Sequence, residues 1–141
     1  MRKADLSGAD MRSASLANAD LREANLKDAL LAFANMSNAK LRKADLTGVN
    51  LSHADLREAD LRNSVLAGAN LESALLQDAK LTKSDLHESK LTRAQLNGAS
   101  LRNSDLTNSN LGKAELTGAD LSNTTLHDAN MAKINMMEGS L

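Results

Sequence analysis

Ala4-Asp5-Leu6-Ser7-Gly8 decides the architecture, because the chain repeats this plan to its end. With Leu6 as the centre of the unit, every fifth residue from Met1 to Leu141 is Leu or Met: 29 consecutive positions, 24 Leu and 5 Met. Two residues before the centre, 28 positions hold 19 Ala and five Ser (Ser64, Ser84, Ser89, Ser104, Ser109), with Val49, Thr124, Ile134 and Gly139 once each. The slot between holds nine Asp and seven Asn among various others, and Ala44-Asp45-Leu46 and Ala119-Asp120-Leu121 show the same unit further along. An internal period of this regularity takes precedence over any local propensity.

A period of five fits neither ordinary element. On an α-helix the centre would advance by about 140° per unit and scatter Leu around the cylinder. On a flat strand, where side chains alternate with period 2, successive centres would fall on opposite faces. Within one unit, however, Ala-x-Leu alternates as a strand does, with both ends on one face. The other two residues must then turn the chain. Four such corners close a coil of four units, with Leu in the middle of each wall and Ala, Ser or Thr in the tight corners. The second residue after the centre is Gly at 8, 48, 68, 98 and 118, and Asn at 18, 38, 63, 103, 108 and 123. These are the residues that best accept φ > 0 at the third position of a type II turn. The chain has no Pro, so no rung lacks an N–H for pairing with the next coil.

The pattern resembles the pentapeptide-repeat family over essentially the whole chain. The resemblance implies an all-β fold, a right-handed quadrilateral parallel β-helix (solenoid) of about seven coils, four pentapeptides to a coil, forming one domain over residues 1–141. At the usual strand spacing the rod would be roughly 34 Å long.

Composition narrows the function more than it defines it. There is no Cys, Trp or Tyr and one Phe, so no thiol or disulfide chemistry is available. No segment resembles a signal peptide or a membrane span, which makes a cytoplasmic location the default expectation. Met1 is already a centre, and uncapped solenoid ends expose apolar cross-section. The C-terminal coil drifts in the apolar direction through Ile134, Met136, Met137 and Leu141. This end is expected to pack on another copy or a neighbouring domain, and the family resemblance implies end-to-end dimers.

Net charge is −1, but folding the sequence at four units per coil separates it by wall. The first wall, with centres at 1, 21, 41 and onward, carries Arg2, Arg22, Arg42, Arg62 and Arg102 in one column and sums to +6. The second, from Leu6, sums to −6 and includes Asp5, Asp45, Asp85 and Asp105. The third, from Met11, is +3 and the fourth, from Leu16, is −4. An arginine column can attract an extended anion, or it can be a solvated wall relieved by Asp20, Glu23 and Asp60. Nucleic acid is not the expected partner, since the chain offers no set of aromatic side chains on which bases could stack.

Leu30, Ala32 and Phe33 are placed outward on the third wall, and the Leu30/Phe33 pair is a candidate contact patch. His87 and His127 share a column two coils apart, too far for a common metal ion. No catalytic, cofactor or metal string occurs, and an interior filled by Leu and Ala leaves no place to hold a substrate. The chain therefore reads as a non-catalytic rigid scaffold that binds protein partners. The alternative comes from the resemblance: one branch of the family, associated with quinolone resistance, mimics duplex DNA and binds DNA gyrase. The acidic wall of Asp5, Asp45, Asp85 and Asp105 is where such mimicry would lie, although Phe is absent from all 29 centres and two walls are basic.

Overall fold

The computed structural model describes residues 1–140 as a stack of coils in which each residue lies over its counterpart four units later. Parallel bridges join Asp5 to Asn25, Asp10 to Leu30, and so on at every fifth residue up to Asp120 and Ser140. Four turns divide each coil into four walls. Pairing is parallel, but it is confined to isolated bridges and no continuous strand forms among the described residues. The corners explain this: a turn in every unit leaves an extended run of three, and only its middle residue pairs with both neighbouring coils.

The turns are uniform. The centre carbonyl accepts from the N–H three residues on, as in Ala4 N to Met1 O at 3.1 Å and Val49 N to Leu46 O at 3.1 Å. The second position after the centre, from Lys3 to Glu138, has φ between 54° and 71° at every unit, whether the residue is glycine or not. A positive φ at the third turn position defines type II geometry. Left-handed backbone costs an L-residue roughly 1–2 kcal/mol, so Lys, Glu, Arg and Phe at these corners show that coil pairing overrides local preference.

Asp and Asn before the centre have a structural task that the sequence reading did not assign. At fifteen of the sixteen such positions the side-chain Oδ1 accepts the backbone N–H two residues on, an Asx turn. Residues 45–50 show the full accounting. Leu46 N and Gly48 N donate to Val65 O and Ala67 O of the next coil, at 2.7 and 2.9 Å. Asn50 N donates to Ala29 O of the previous coil at 3.0 Å, and Val49 N closes the turn. The remaining donor, Thr47 N, goes to Asp45 Oδ1 at 3.0 Å. Every N–H group of the unit is satisfied, as buried backbone requires.

Side chains sort as the Ala-x-Leu alternation predicts. The buried column runs without a break from Leu21 to Leu121, with Ala, Val49 or Ser between the centres. Where Ser replaces Ala the hydroxyl usually turns onto the preceding centre carbonyl, as in Ser64 to Leu61 O and Ser84 to Leu81 O. Ser89 and Ser109 are buried, and Oγ of each has no partner among the described residues. Toward the ends, Leu6, Met11, Leu16, Leu126, Met131, Ile134 and Met136 are only partly buried against this core. The last two turns are also looser, at 3.5 Å for Ile134 N and 3.4 Å for Gly139 N. Ile134 is bulkier than the Ala that the corner normally holds.

Candidate functional site

The arginine column of the first wall is mostly spoken for. Arg22 grips Asp20 with Nε and Nη2, and Arg62 grips Asp60 in the same two-pronged way. Arg2 and Lys3 reach Glu23 at 3.5 Å, and Arg102 reaches Asp120 at 3.2 Å. The Arg22 guanidinium holds the Asp20 carboxyl well below the usual carboxylate range. Arg42 is the exception: Lys40 stands where Asp20 and Asp60 stand on neighbouring coils, and Arg42 has no ion pair among the described residues. Arg2, Arg22, Glu23, Arg42 and Lys43 line an open depression of about 160 Å³.

On the second wall Asp5, Asp45, Asp85 and Asp105 form the acidic column, but each turns Oδ1 inward to its own Asx turn. Hydrogen bonds from Ser7 and Thr107 lower the Asp5 and Asp105 pKa values. Asp85 also takes the His87 ring, Nδ1 to Oδ1 at 2.6 Å, and this bond raises the His87 pKa above its ordinary value. His127 lies 3.1 Å from Asp128. No group of three or more metal-ligating side chains occurs among the described residues.

The third wall carries two features. Phe33 is 62% exposed and lies flat on His53 of the next coil, with ring centroids 4.8 Å apart and 2° between planes. Leu30 beside it is 38% exposed, whereas Ala32, expected to point outward, is buried at 7%. Its short side chain, set directly after the centre, stays close to the wall. Further along, Thr92, Asn110, Gly112, Lys113, Asn130, Ala132 and Lys133 enclose an open groove of about 270 Å³. The sequence reading missed it. The visible signal was two adjacent side chains of a methyl group or less, Gly112 and Ala132, in a column that otherwise reads Arg12, Ala32, Ser52, Glu72 and Thr92. Of the C-terminal residues singled out from sequence, Ile134 and Met136 pack on the core, Met137 is 70% exposed, and Leu141 lies outside the described residues.

The coil register, the uniform turns and the Ala-x-Leu core agree with the comparison to known families. The pentapeptide-repeat family model matches residues 1–28, 24–63, 69–108 and 99–137, in eight copies. The chain belongs to the pentapeptide-repeat family. Among solved structures it is similar to the pentapeptide-repeat protein Rfr23 of the cyanobacterium Cyanothece 51142, at 34% identity and TM-score 0.64, over 65% of this chain and 63% of that one. The chain thus spans somewhat under two thirds of that relative. HetL, a pentapeptide-repeat protein involved in heterocyst differentiation regulation in Nostoc sp. PCC 7120, is 27% identical over 93% of this chain and 73% of its own, at TM-score 0.48. QnrB1, a plasmid-mediated fluoroquinolone resistance protein, is 23% identical over 96% of this chain and 78% of its own, at TM-score 0.46. No curated protein sequence matches the chain. No helix among the described residues is long and apolar enough to cross a membrane.

Proposed function

We propose that this pentapeptide-repeat chain is a rigid, non-catalytic scaffold, a right-handed quadrilateral β-helix of one domain that binds protein partners through its walls. The observation that carries this reading is the combination of a continuously filled core with outward columns held in fixed register. Such a body offers extended, preorganised surface, which reduces the ordering cost of association. Immobilised protein should retain a partner that is lost when the charges of one wall are neutralised and kept when those of the other three are. Retention that ignores every wall, in variants with unchanged melting, would refute the reading. End-to-end pairing of two copies through Ile134, Met136 and Met137 belongs to the same proposal, supported by the exposure of Met137. Sedimentation should give a dimer for the parent and a monomer for Met137→Lys.

The −6 charge of the second wall favours one alternative, DNA-gyrase binding by DNA mimicry. It is tested by a supercoiling assay with protein raised to roughly tens of micromolar, the range of weak complexes. The informative variant is Asp45→Asn, Asp85→Asn and Asp105→Asn together, which removes three charges and keeps the three Asx acceptors. Inhibition by the parent that the triple variant loses would establish mimicry. Absence of inhibition by the parent would remove it.

A further inference from the structure

We propose that the groove over Gly112 and Ala132 on the third wall docks an acidic, extended peptide segment of a partner protein; this rests on the scaffold reading above. Its shape comes from one column. The residues directly after the centres read Arg12, Ala32, Ser52, Glu72, Thr92, Gly112 and Ala132, so side-chain bulk falls away at the last two. The floor there is bare backbone and one methyl group. A Cβ on Gly112 would stand 3.1 Å from Asn110 Oδ1, so even the smallest addition crowds the groove.

The charge is one-sided. Arg93, Lys113 and Lys133 stand on consecutive coils along one rim, and Lys90 precedes Asn110 in the column of the other. Arg93 reaches Glu72 at 3.7 Å, while Lys90, Lys113 and Lys133 have no ion pair among the described residues. No acidic residue occurs on this wall after Glu72. The first wall has the larger formal charge, yet its arginines are mainly engaged by their own carboxylates. Its cations with no ion pair among the described residues, Lys40, Arg42, Lys43, Lys80 and Lys83, are interleaved with Asp20, Glu23, Asp60 and Asp120. Lys90, Lys113 and Lys133 instead border a groove on a stretch of wall that carries no acid.

The other rim supplies hydrogen bonds. Asn130 Nδ2 donates to Asn110 Oδ1 at 3.1 Å, and the two Oδ1 atoms accept Gly112 N and Ala132 N at 3.0 Å each. Asn110 lines the groove and its Nδ2 has no acceptor among the described residues, which leaves it available to a carboxylate or a peptide carbonyl. From Thr92 to Ala132 the groove crosses three coils, roughly 10 Å, which an extended peptide covers in about three residues. A peptide fits better than a nucleic acid because no aromatic ring borders the groove to stack on bases; Phe33 is three coils from Arg93.

The test is fluorescence anisotropy with fluorescein-labelled hexaglutamate, with hexaglutamine and a hexameric oligothymidylate as comparators. Hexaglutamate should bind at least about tenfold more tightly than either comparator. Lys113→Gln with Lys133→Gln should weaken it about tenfold or more, as should Ala132→Leu, which fills the groove and leaves every charge in place. Arg42→Gln on the first wall should change it less than about twofold, and all variants should melt like the parent. The proposal is overturned if hexaglutamate fails to bind, if Ala132→Leu binds normally, if Arg42→Gln costs as much as the lysine pair, or if the oligothymidylate binds as tightly. A partner retained by another wall would then leave the scaffold reading standing without this groove, whereas wall-independent retention would sink both.

Discussion

Replacing Asp105 separates the two roles that an acidic column can have, a surface charge or a backbone acceptor. Asp105 Oδ1 accepts Thr107 N at 2.9 Å and Thr107 Oγ1 at 2.6 Å. Asp105→Ala removes both bonds and leaves the Thr107 N–H without its partner. A hydrogen bond contributes about 0.5–1.5 kcal/mol net, and losing a comparable N-cap acceptor costs about 1 kcal/mol. Because the site is only partly buried, a total loss of about 1–2 kcal/mol is expected. For a chain of this size that corresponds to a fall in Tm of roughly 3–8 °C. Asp105→Asn keeps Oδ1 and removes the charge. Asp85 is the bridge neighbour of Asp105 on the previous coil, so the amide also relieves a like-charge contact that is at most about 1 kcal/mol in water and less in salt. The lowered Asp105 pKa nevertheless shows that the fold favours the carboxylate over a neutral acceptor, so the Tm of Asp105→Asn should fall, but by less than that of Asp105→Ala. Thermal melts followed by circular dichroism at two salt concentrations provide the assay. If Asp105→Asn is as damaging as Asp105→Ala, the charge and not the Asx acceptor matters, and the donor accounting of the unit is wrong.

Four other outcomes follow from the same geometry. Leu61 is fully buried and Asn63 sits at an exposed corner with φ 58°; Leu61→Asp should cost more than about 4 kcal/mol and prevent folding, while Asn63→Asp should stay within about 0.5 kcal/mol in urea titration. Gly118 has φ +68° and open space around a virtual Cβ, so Gly118→Ala should report the left-handed backbone cost alone, about 1 kcal/mol, as a lower denaturation midpoint. Ser89→Ala and Ser109→Ala should each raise stability by about 1 kcal/mol, since they remove buried hydroxyls with no partner among the described residues, whereas Ser84→Ala, which breaks a made bond, should not. His87 should titrate above its ordinary value in an NMR pH series, and Asp85→Asn should bring it back down; because the folded-state pKa is raised, the stabilisation from this pair is present below the unfolded pKa of about 6.5 and disappears as pH rises through the folded value.

The fold was legible in the sequence because its determinants lie on the inside, where packing leaves little choice. The unbroken Leu/Met centres and the small residues two positions earlier map onto the buried column, and the Gly and Asn corners map onto left-handed turns. Folding the sequence at four units per coil also located the charge columns. The same folding placed Asp20, Glu23 and Asp60 where they relieve the arginine column, as they do. What it left undrawn is that Arg42 stands apart, because Lys40 occupies the matching position on its own coil. The Asx turns were present as sixteen Asp or Asn residues in one slot, but their acceptor role emerges only when the N–H two residues on is found to lack a backbone partner. The groove escaped for a related reason: Gly112 and Ala132 look like neutral drift until the height of the neighbouring side chains is known.

The bridge register, in which four turns bring the chain back over itself, makes this molecule tolerant of length changes and sensitive to their phase. Removing one whole coil shortens the rod and leaves every column aligned. Removing a single pentapeptide, for example 62–66, also preserves the turn pattern and the buried column, yet rotates everything downstream by a quarter turn. Lys113 and Lys133 would then continue the wall that carries Asp45 upstream, and an inserted pentapeptide would instead set them on the wall of Asp55. One pentapeptide gained or lost thus acts as a clutch between the two halves of the rod, re-indexing which face meets a partner without altering any residue on that face.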